Sequence, residues 1–120
     1  MSSPQKALLE MLAARISAGE FAGLEEFFTD DFRLHDPNKP EWPTGRAGAA
    51  LMIQSFAALG DDVALDVLDA IEEGDKVVVR WTVAWTGDGA RHEAAIVGVY
   101  RFVDGRIAED WGIAARRPWP

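Results

Sequence analysis

Two aspartates, Asp36 and Asp110, interrupt apolar stretches of the chain, where a carboxylate could serve as an acid or a base. Asp36 ends the segment FTDDFRLHD and is followed by Pro37 and a loop broken by further prolines. A carboxylate in an apolar cavity loses hydration, so its pKa rises toward the range useful for proton transfer near neutral pH. The structural alternatives are an Asx turn for Asp36, and a solvated face or an ion pair with an arginine for Asp110.

Small residues accompany Asp110 on one face of the last two predicted strands. Alternation along the last strand separates Ile107, Glu109, Trp111 and Ile113 from Ala108, Asp110, Gly112 and Ala114. The preceding strand places Ala94, Ile96, Gly98, Tyr100 and Phe102 on one face. If a hairpin at Asp104-Gly105 pairs these strands, small side chains from both lie together. Such a face leaves either a ligand pocket or room for a closely packed helix.

The elements that must position these residues follow from the periodicity of the apolar residues. Ser3-Pro4 is a typical helix start, and an apolar stripe continues as far as Gly19. A short second helix is predicted from Phe21 to Phe28, and a third begins at Thr44-Gly45-Arg46. The strands are predicted at residues 31–35, from Val63, and over Val77 to Trp85, Arg91 to Val103 and Arg106 to Ala114. This order predicts an α+β domain that spans residues 1–120, with helices packed on one sheet.

The composition excludes several classes of function. With 120 residues and 48% hydrophobic residues, the chain can form one core, while its net charge of −8 argues against nucleic acid and anionic membranes as partners. The sequence has no cysteine and only two separated histidines, so a thiolate or histidine metal site is not expected. No signal peptide or long apolar run is visible, which predicts a cytoplasmic protein.

The order of these elements, with the Asp36-Pro37 step and the ending YRFVDGRIAEDW, resembles the nuclear transport factor 2-like superfamily. Within it, the chain is most similar to the SnoaL-like polyketide cyclases, over residues 5 to 115. The resemblance implies a cone-shaped barrel in which a curved, mixed or antiparallel sheet wraps around a pocket, with three helices packed on it. It also implies a homodimer that pairs through the sheet.

The same resemblance implies roles for individual residues. Asp36 falls on the proton-shuttling base of ketosteroid isomerase, whose two oxyanion donors fall on Leu12 and Gly98. The final acid of limonene epoxide hydrolase and the last-strand acid of the cyclases both fall near Gly112. Asp110, two residues earlier on the same face, is the nearest substitute. Asp36 and Asp110 are therefore the predicted catalytic pair.

Eight further residues are predicted to contact the ligand: Leu12, Leu34, Trp42, Phe56, His92, Gly98, Tyr100 and Gly112. Trp42 could close over the pocket or anchor its own loop, and His92 could act at the rim or be solvated. Tyr100 could hydrogen-bond a ligand or pack in the core. Trp81 and Trp85 are predicted in the core or on a dimer surface, and His35 on the opposite strand face from Asp36.

These residues predict a cofactor-free enzyme that transfers protons on an apolar or polycyclic small molecule. The chemistry would be proton abstraction beside a carbonyl, or an aldol-type ring closure. Two alternatives stay open: a domain that binds the ligand without reacting, and a pure dimerisation module whose interior is filled by its own side chains.

Overall fold

Two α-helices, a short 3-10 helix and a five-stranded sheet form the protein over residues 3–120, the part that this computed structural model describes. In chain order the elements are α1 (Pro4–Ser17), the 3-10 helix (Leu24–Phe27), β1 (Phe28–Leu34), α2 (Gly45–Ala57), β2 (Asp61–Glu73), β3 (Lys76–Gly87), β4 (Ala90–Val103) and β5 (Arg106–Ala114). The predicted α+β class is confirmed. No helix in this part of the chain is long and apolar enough to cross a membrane.

The sheet is mixed, with strand order β1-β5-β4-β3-β2. Strands β2 to β5 form an antiparallel meander, whereas β1 pairs with β5 in parallel. The predicted turn at Asp104-Gly105 joins β4 to β5, and both residues have positive φ values of 50° and 77°. This left-handed pair gives the tight hairpin turn that matches the twist of the strands.

Helix α1 begins as its sequence predicts. The Ser3 hydroxyl accepts a hydrogen bond from the Lys6 amide at 3.1 Å and donates one to Glu72 on β2, with Pro4 at the first helical position. At the other end, Ser17 bonds to both the amide and the carbonyl of Leu65. Both ends of the helix are thereby tied to the edge strand β2.

The prediction of three helices and a barrel is wrong in two respects. The segment from Phe21 to Phe28 forms only the 3-10 turn Leu24–Phe27, because Gly23 adopts a left-handed φ of 80° and Phe28 already begins the strand. The sheet is also open, since β1 and β2 are edge strands that do not pair with each other. Two α-helices close the concave side instead, and the interior is cone-like.

A β-bulge in β5 changes the predicted alternation. Arg101 pairs with Glu109 but Phe102 pairs with Ile107, so Ala108 is an extra residue in the ladder. The prediction placed Ile107 on the same face as Glu109, but it is fully buried in the core, as is Ala108 at 3% exposure. Beyond the bulge, Asp110 and Gly112 line the cavity from one face as predicted, whereas Ile113, predicted on the opposite face, also lines it.

The last residues continue along the sheet. Ala115 donates to the Ala95 carbonyl and Ala95 donates to the Arg117 carbonyl, each at 2.8 Å. The Trp119 indole then donates to the Trp81 carbonyl at 2.8 Å, with the Arg80 guanidinium 5.1 Å from its ring centre. The tail, whose role the sequence leaves open, therefore lies against β3 and β4.

Candidate functional site

A cavity of about 450 Å³ lies between the two helices and the concave face of the sheet. Buried apolar side chains form its inner part, and exposed residues mark its mouth. The inner wall includes Leu12, Ile16, Phe28, Ile53, Leu65, Trp81, Val83, Ala94, Tyr100 and Ile107, and the mouth includes Lys39, Ser55, Leu59, Ala115 and Arg116. This volume lies in the range of about 300–1,000 Å³ that is typical of small-molecule binding sites.

Among residues 3–120, Asp110 is the one charged or polar residue that is buried, with 5% of its surface exposed. Its Oδ1 atom has no hydrogen-bond partner among the described residues. Burial, and secondarily the charge of Asp36, raises the pKa of Asp110 from 3.8 to about 7. At neutral pH this carboxyl group can therefore either give or take a proton.

Gly112 provides the space for that carboxyl group. A Cβ atom at position 112 would lie 2.8 Å from Asp110 Oδ1, closer than a carbon atom can approach without displacing it. Gly112 also pairs directly with Gly98 across the strands, as Asp110 pairs with Tyr100. The predicted small-residue face is thus present, and the structure shows a cavity beside it rather than a closely packed helix.

Asp36 lies just beyond the end of β1, where its two predicted roles are compatible. Its Oδ1 atom accepts the Asn38 amide at 2.8 Å, which is the Asx turn that the sequence predicts. Its Oδ2 atom is 3.8 Å from Lys39 Nζ, and the residue also lines the cavity. The side chain therefore has a backbone donor on one oxygen and a lysine ammonium group beside the other.

The register of β1 on β5 brings the two aspartates together. Leu34 pairs with Asp110, and the His35 amide donates to the Asp110 carbonyl at 2.7 Å. Asp36 follows directly, and its charge reaches Asp110 closely enough to raise the pKa of that residue. An apolar cavity with one buried acid and a second carboxylate nearby can accept and return protons on a bound molecule.

Tyr100 adds a polar group to the same wall. Its hydroxyl accepts a hydrogen bond from Trp81 Nε1 at 2.8 Å, with the two rings edge to face. Burial and then the nearby Asp110 raise the pKa of Tyr100 well above its ordinary value of 10.0, although the Trp81 hydrogen bond opposes this. The side chain is therefore a neutral phenol across the physiological range.

Of the predicted ligand contacts, Leu12, Leu34, Phe56, Tyr100 and Gly112 line the cavity together with both aspartates. Three others lie outside its wall. The Trp42 indole donates to the Gly48 carbonyl at 2.9 Å and anchors its loop to α2. His92 is exposed near the start of β4, where it stacks on Trp85, and Gly98 lies beneath the Tyr100 ring.

Several lining residues were not predicted as ligand contacts. Trp81, Val83 and Trp85 are every second residue of β3, so their side chains share one face of the sheet, and all three line the cavity. This spacing was the signal that could have placed the two tryptophans in the site. Lys39, in a loop, and Arg116, in the tail, also line the mouth. Neither residue lies in a helix or strand, so a periodic pattern could not predict where its side chain points.

His35 points away from the cavity, as predicted. Its Nε2 atom is 2.8 Å from Glu109 Oε2, and its ring stacks on Trp111 with the centroids 4.9 Å apart. Burial alone would raise the pKa of Glu109, but hydrogen bonds from Arg101 and His35 lower it below its ordinary value. The cluster holds β1 to β5 from the outer face. Among residues 3–120, no group of three acidic or histidine side chains is placed to hold a metal ion.

Comparisons with known proteins agree with this geometry. A family model described as a SnoaL-like domain matches residues 8–110. A candidate polyketide cyclase from Acidithiobacillus ferrooxidans is 24% identical, with a TM-score of 0.80 over 97% of this chain and 91% of its own. Wild-type IdmH, a candidate polyketide cyclase from Streptomyces antibioticus, is 25% identical, with a TM-score of 0.76 over 92% and 91%.

A protein from Catenulispora acidiphila with a ketosteroid isomerase-like fold, solved with trimethylamine, is 18% identical, with a TM-score of 0.74 over 88% and 83%. No curated protein matches the chain. At these identities the solved structures establish the shared fold, and the chemistry must be argued from the site.

Proposed function

The chain belongs to the SnoaL-like domain family, as its sequence predicted, and from that premise we propose that it is an enzyme of proton transfer. Its substrate would be an apolar or polycyclic carbonyl compound, and its reaction would need no cofactor. The observation that carries this proposal is the unpartnered, buried carboxyl group of Asp110 facing an apolar cavity beside a second carboxylate. A buried carboxyl group without a partner lowers the stability of the fold, and such destabilising groups are found at functional sites.

In the proposed reaction, Asp36 is the base and Asp110 is the acid. The Asp36 carboxylate takes a proton from the carbon next to the carbonyl group, the C–H electrons form a carbon–carbon double bond, and the carbonyl π electrons move to oxygen. In an isomerisation, the substrate is an unsaturated ketone, the anion is a dienolate, and the proton returns to its γ carbon, so that the carbon–carbon double bond moves into conjugation with the carbonyl group. In a ring closure, the enolate carbon attacks a second carbonyl of the same molecule, and Asp110 protonates the new alkoxide. A pKa of about 7 suits Asp110 to that step.

The test is hydrogen–deuterium exchange at the carbon next to a carbonyl group. We expect the protein to accelerate exchange of 2-tetralone in D₂O, followed by NMR. Asp36→Asn, which keeps an oxygen for the Asx turn, should slow the exchange by about 100-fold or more, whereas Asp110→Asn should impair only the ring closure, in which Asp110 is the acid. Asp66→Asn, which alters an exposed carboxylate on β2, is the control and should leave the exchange unchanged. Unchanged exchange in Asp36→Asn would refute the mechanism.

A ligand-binding domain without chemistry is the second candidate. The observation in its favour is that Leu12 and Gly98 carry no polar side chain at the two positions where the isomerase has donors. Recovery of a bound ketone unmodified and without deuterium after long incubation would favour the binder. A dimerisation module with a filled interior is disfavoured by the open cavity.

We also propose that the outer face of the sheet pairs with a second copy of the chain. Val78, Val97 and Trp111 are 38%, 42% and 38% exposed on that face. These side chains lie on adjacent strands, and contiguous apolar patches on a surface mark protein–protein contact sites.

A further inference from the structure

The Tyr100 hydroxyl is a polar group of the inner cavity wall that the acid–base mechanism does not use. Tyr100 pairs with Asp110 across β4 and β5, so the two side chains lie on the same face of the sheet. Both line the cavity, and Tyr100 is 7% exposed. A ligand that contacts the Asp110 carboxyl group is therefore within reach of the phenol.

The hydroxyl is held in a defined direction. The Trp81 indole nitrogen can only donate, so Tyr100 Oη is the acceptor of their 2.8 Å hydrogen bond. The phenolic proton is left free for another acceptor, and none is found among residues 3–120. A buried donor without an acceptor costs stability unless a ligand or water satisfies it.

Gly98 makes room for this arrangement. A Cβ atom at position 98 would lie 2.5 Å from Tyr100 Oη and 2.7 Å from Cζ, so any other residue would displace the phenol from Trp81. Three residues on two neighbouring strands thus build one donor: Trp81 fixes its direction, Gly98 gives it space, and Tyr100 supplies the proton.

We infer that Tyr100 donates a hydrogen bond to the carbonyl oxygen of the substrate, with Trp81 as its positioning residue. This rests on the proposed function, and it narrows the substrate class to ketones or enones whose carbonyl group lies at the inner end of the cavity. As the base removes a proton, negative charge develops on that oxygen. A preorganised donor in a site without water stabilises the charge more than the neutral ground state.

The neutral phenol is suited to this task. Because its pKa lies well above its ordinary value, it keeps its proton while charge accumulates on the ligand. An indole N–H that donates to the same oxygen also increases the acidity of the O–H group toward the ligand.

The experiment compares two probes of similar shape, 2-acetonaphthone and 2-ethylnaphthalene, of which only the first has a carbonyl oxygen. Binding is followed by tryptophan fluorescence, and the C=O stretching band of bound 2-acetonaphthone by infrared spectroscopy. In the wild type we expect tighter binding of the ketone and a band shifted to lower wavenumber. Tyr100→Phe keeps the ring but removes the hydroxyl, and should weaken ketone binding about 10-fold while leaving 2-ethylnaphthalene unchanged.

Trp81→Phe should keep part of the ketone preference and broaden the infrared band, because the hydroxyl remains but loses its orientation. Phe56→Leu is the matched control: it alters an apolar lining residue and should weaken both probes equally. An unshifted band in the wild type overturns the inference, and this result does not depend on any variant folding. Equal loss of both probes in Tyr100→Phe overturns it as well.

These experiments distinguish a failure of the Tyr100 donor from a failure of the proposed enzyme function. If 2-tetralone exchange fails but the ketone preference depends on Tyr100, the donor is real and the domain is a binder. If exchange succeeds and Tyr100→Phe leaves both the band and the exchange rate unchanged, the donor role is wrong and the acid–base pair stands.

Discussion

Asp110 is the proposed acid, and its burial also makes the stability of the folded protein depend on pH. Its carboxyl group is neutral in the unfolded chain only below about pH 4, but in the folded protein it stays protonated up to about pH 7. Between these values the folded state binds more protons than the unfolded state. The free energy of unfolding therefore falls as the pH rises through this window, and the loss is complete above the folded pKa.

Asp110→Asn should remove this pH dependence. We expect the variant to gain stability relative to the wild type between pH 4 and pH 7, with the difference reaching about 2–4 kcal/mol and staying constant above pH 7. Urea unfolding of both proteins at a series of pH values measures this difference in the free energy of unfolding. Asp66→Asn, at an exposed position, should show no such trend. A difference that is the same at pH 4 and pH 8 would mean that Asp110 is not shielded from water.

At the scale of elements, the two helices are capped differently, although each begins after a hydroxyl residue. Ser3 accepts the Lys6 amide and donates to Glu72, whereas Thr44 makes no side-chain capping bond at the start of α2. Helix α2 instead packs on β1, and Arg46 pairs with Asp30 at 3.0 Å. The same residue class thus stabilises one helix and leaves the other to tertiary contacts.

Ser3→Ala should lower the free energy of unfolding by about 1–2 kcal/mol, because the Lys6 amide loses its acceptor. Thr44→Ala, at the matched position of α2, should cost less than about 0.5 kcal/mol. Chemical denaturation of the two variants side by side checks the difference. Equal losses would show that the hydroxyl at Ser3 does not cap the helix.

The sequence predicted these elements well where local chemistry defines them. The hairpin at Asp104-Gly105 and the start of α1 depend on residues within a few positions of each other. The bulge at Ala108 was missed because a strict period of two has no place for an extra residue. Which of the two roles predicted for Trp42 applies could not be decided from the sequence, because only the fold shows that the Gly48 carbonyl is near its indole.

At the scale of the whole molecule, the open sheet leaves an apolar outer face. We expect the wild type to be a dimer by light scattering and Val97→Glu to be a monomer, because a charge would be buried at the centre of the interface. Leu51→Glu, at a similarly exposed position of 43% on α2, should remain dimeric. A monomeric wild type would contradict the pairing.

The site could be predicted only in part, because its geometry depends on how strands that are far apart in the sequence pair in the sheet. Asp36 and Asp110 were recognisable as carboxylates in apolar surroundings. That they approach each other depends on the parallel pairing of β1 with β5, and nothing local in either segment specifies it. The Trp81 to Tyr100 hydrogen bond likewise joins residues whose contact requires the register of β3 on β4.

The parallel pairing also has a consequence for the order of folding. Strands β2 to β5 can form by closing short hairpins, but β1 must find β5 across a sequence separation of 74 residues, as the His35 to Glu109 contact shows. Closing so long a loop is entropically costly and slow. The meander is therefore expected to form first and the two aspartates to meet last, so that a nascent chain lacks the candidate site until β5 has been synthesised.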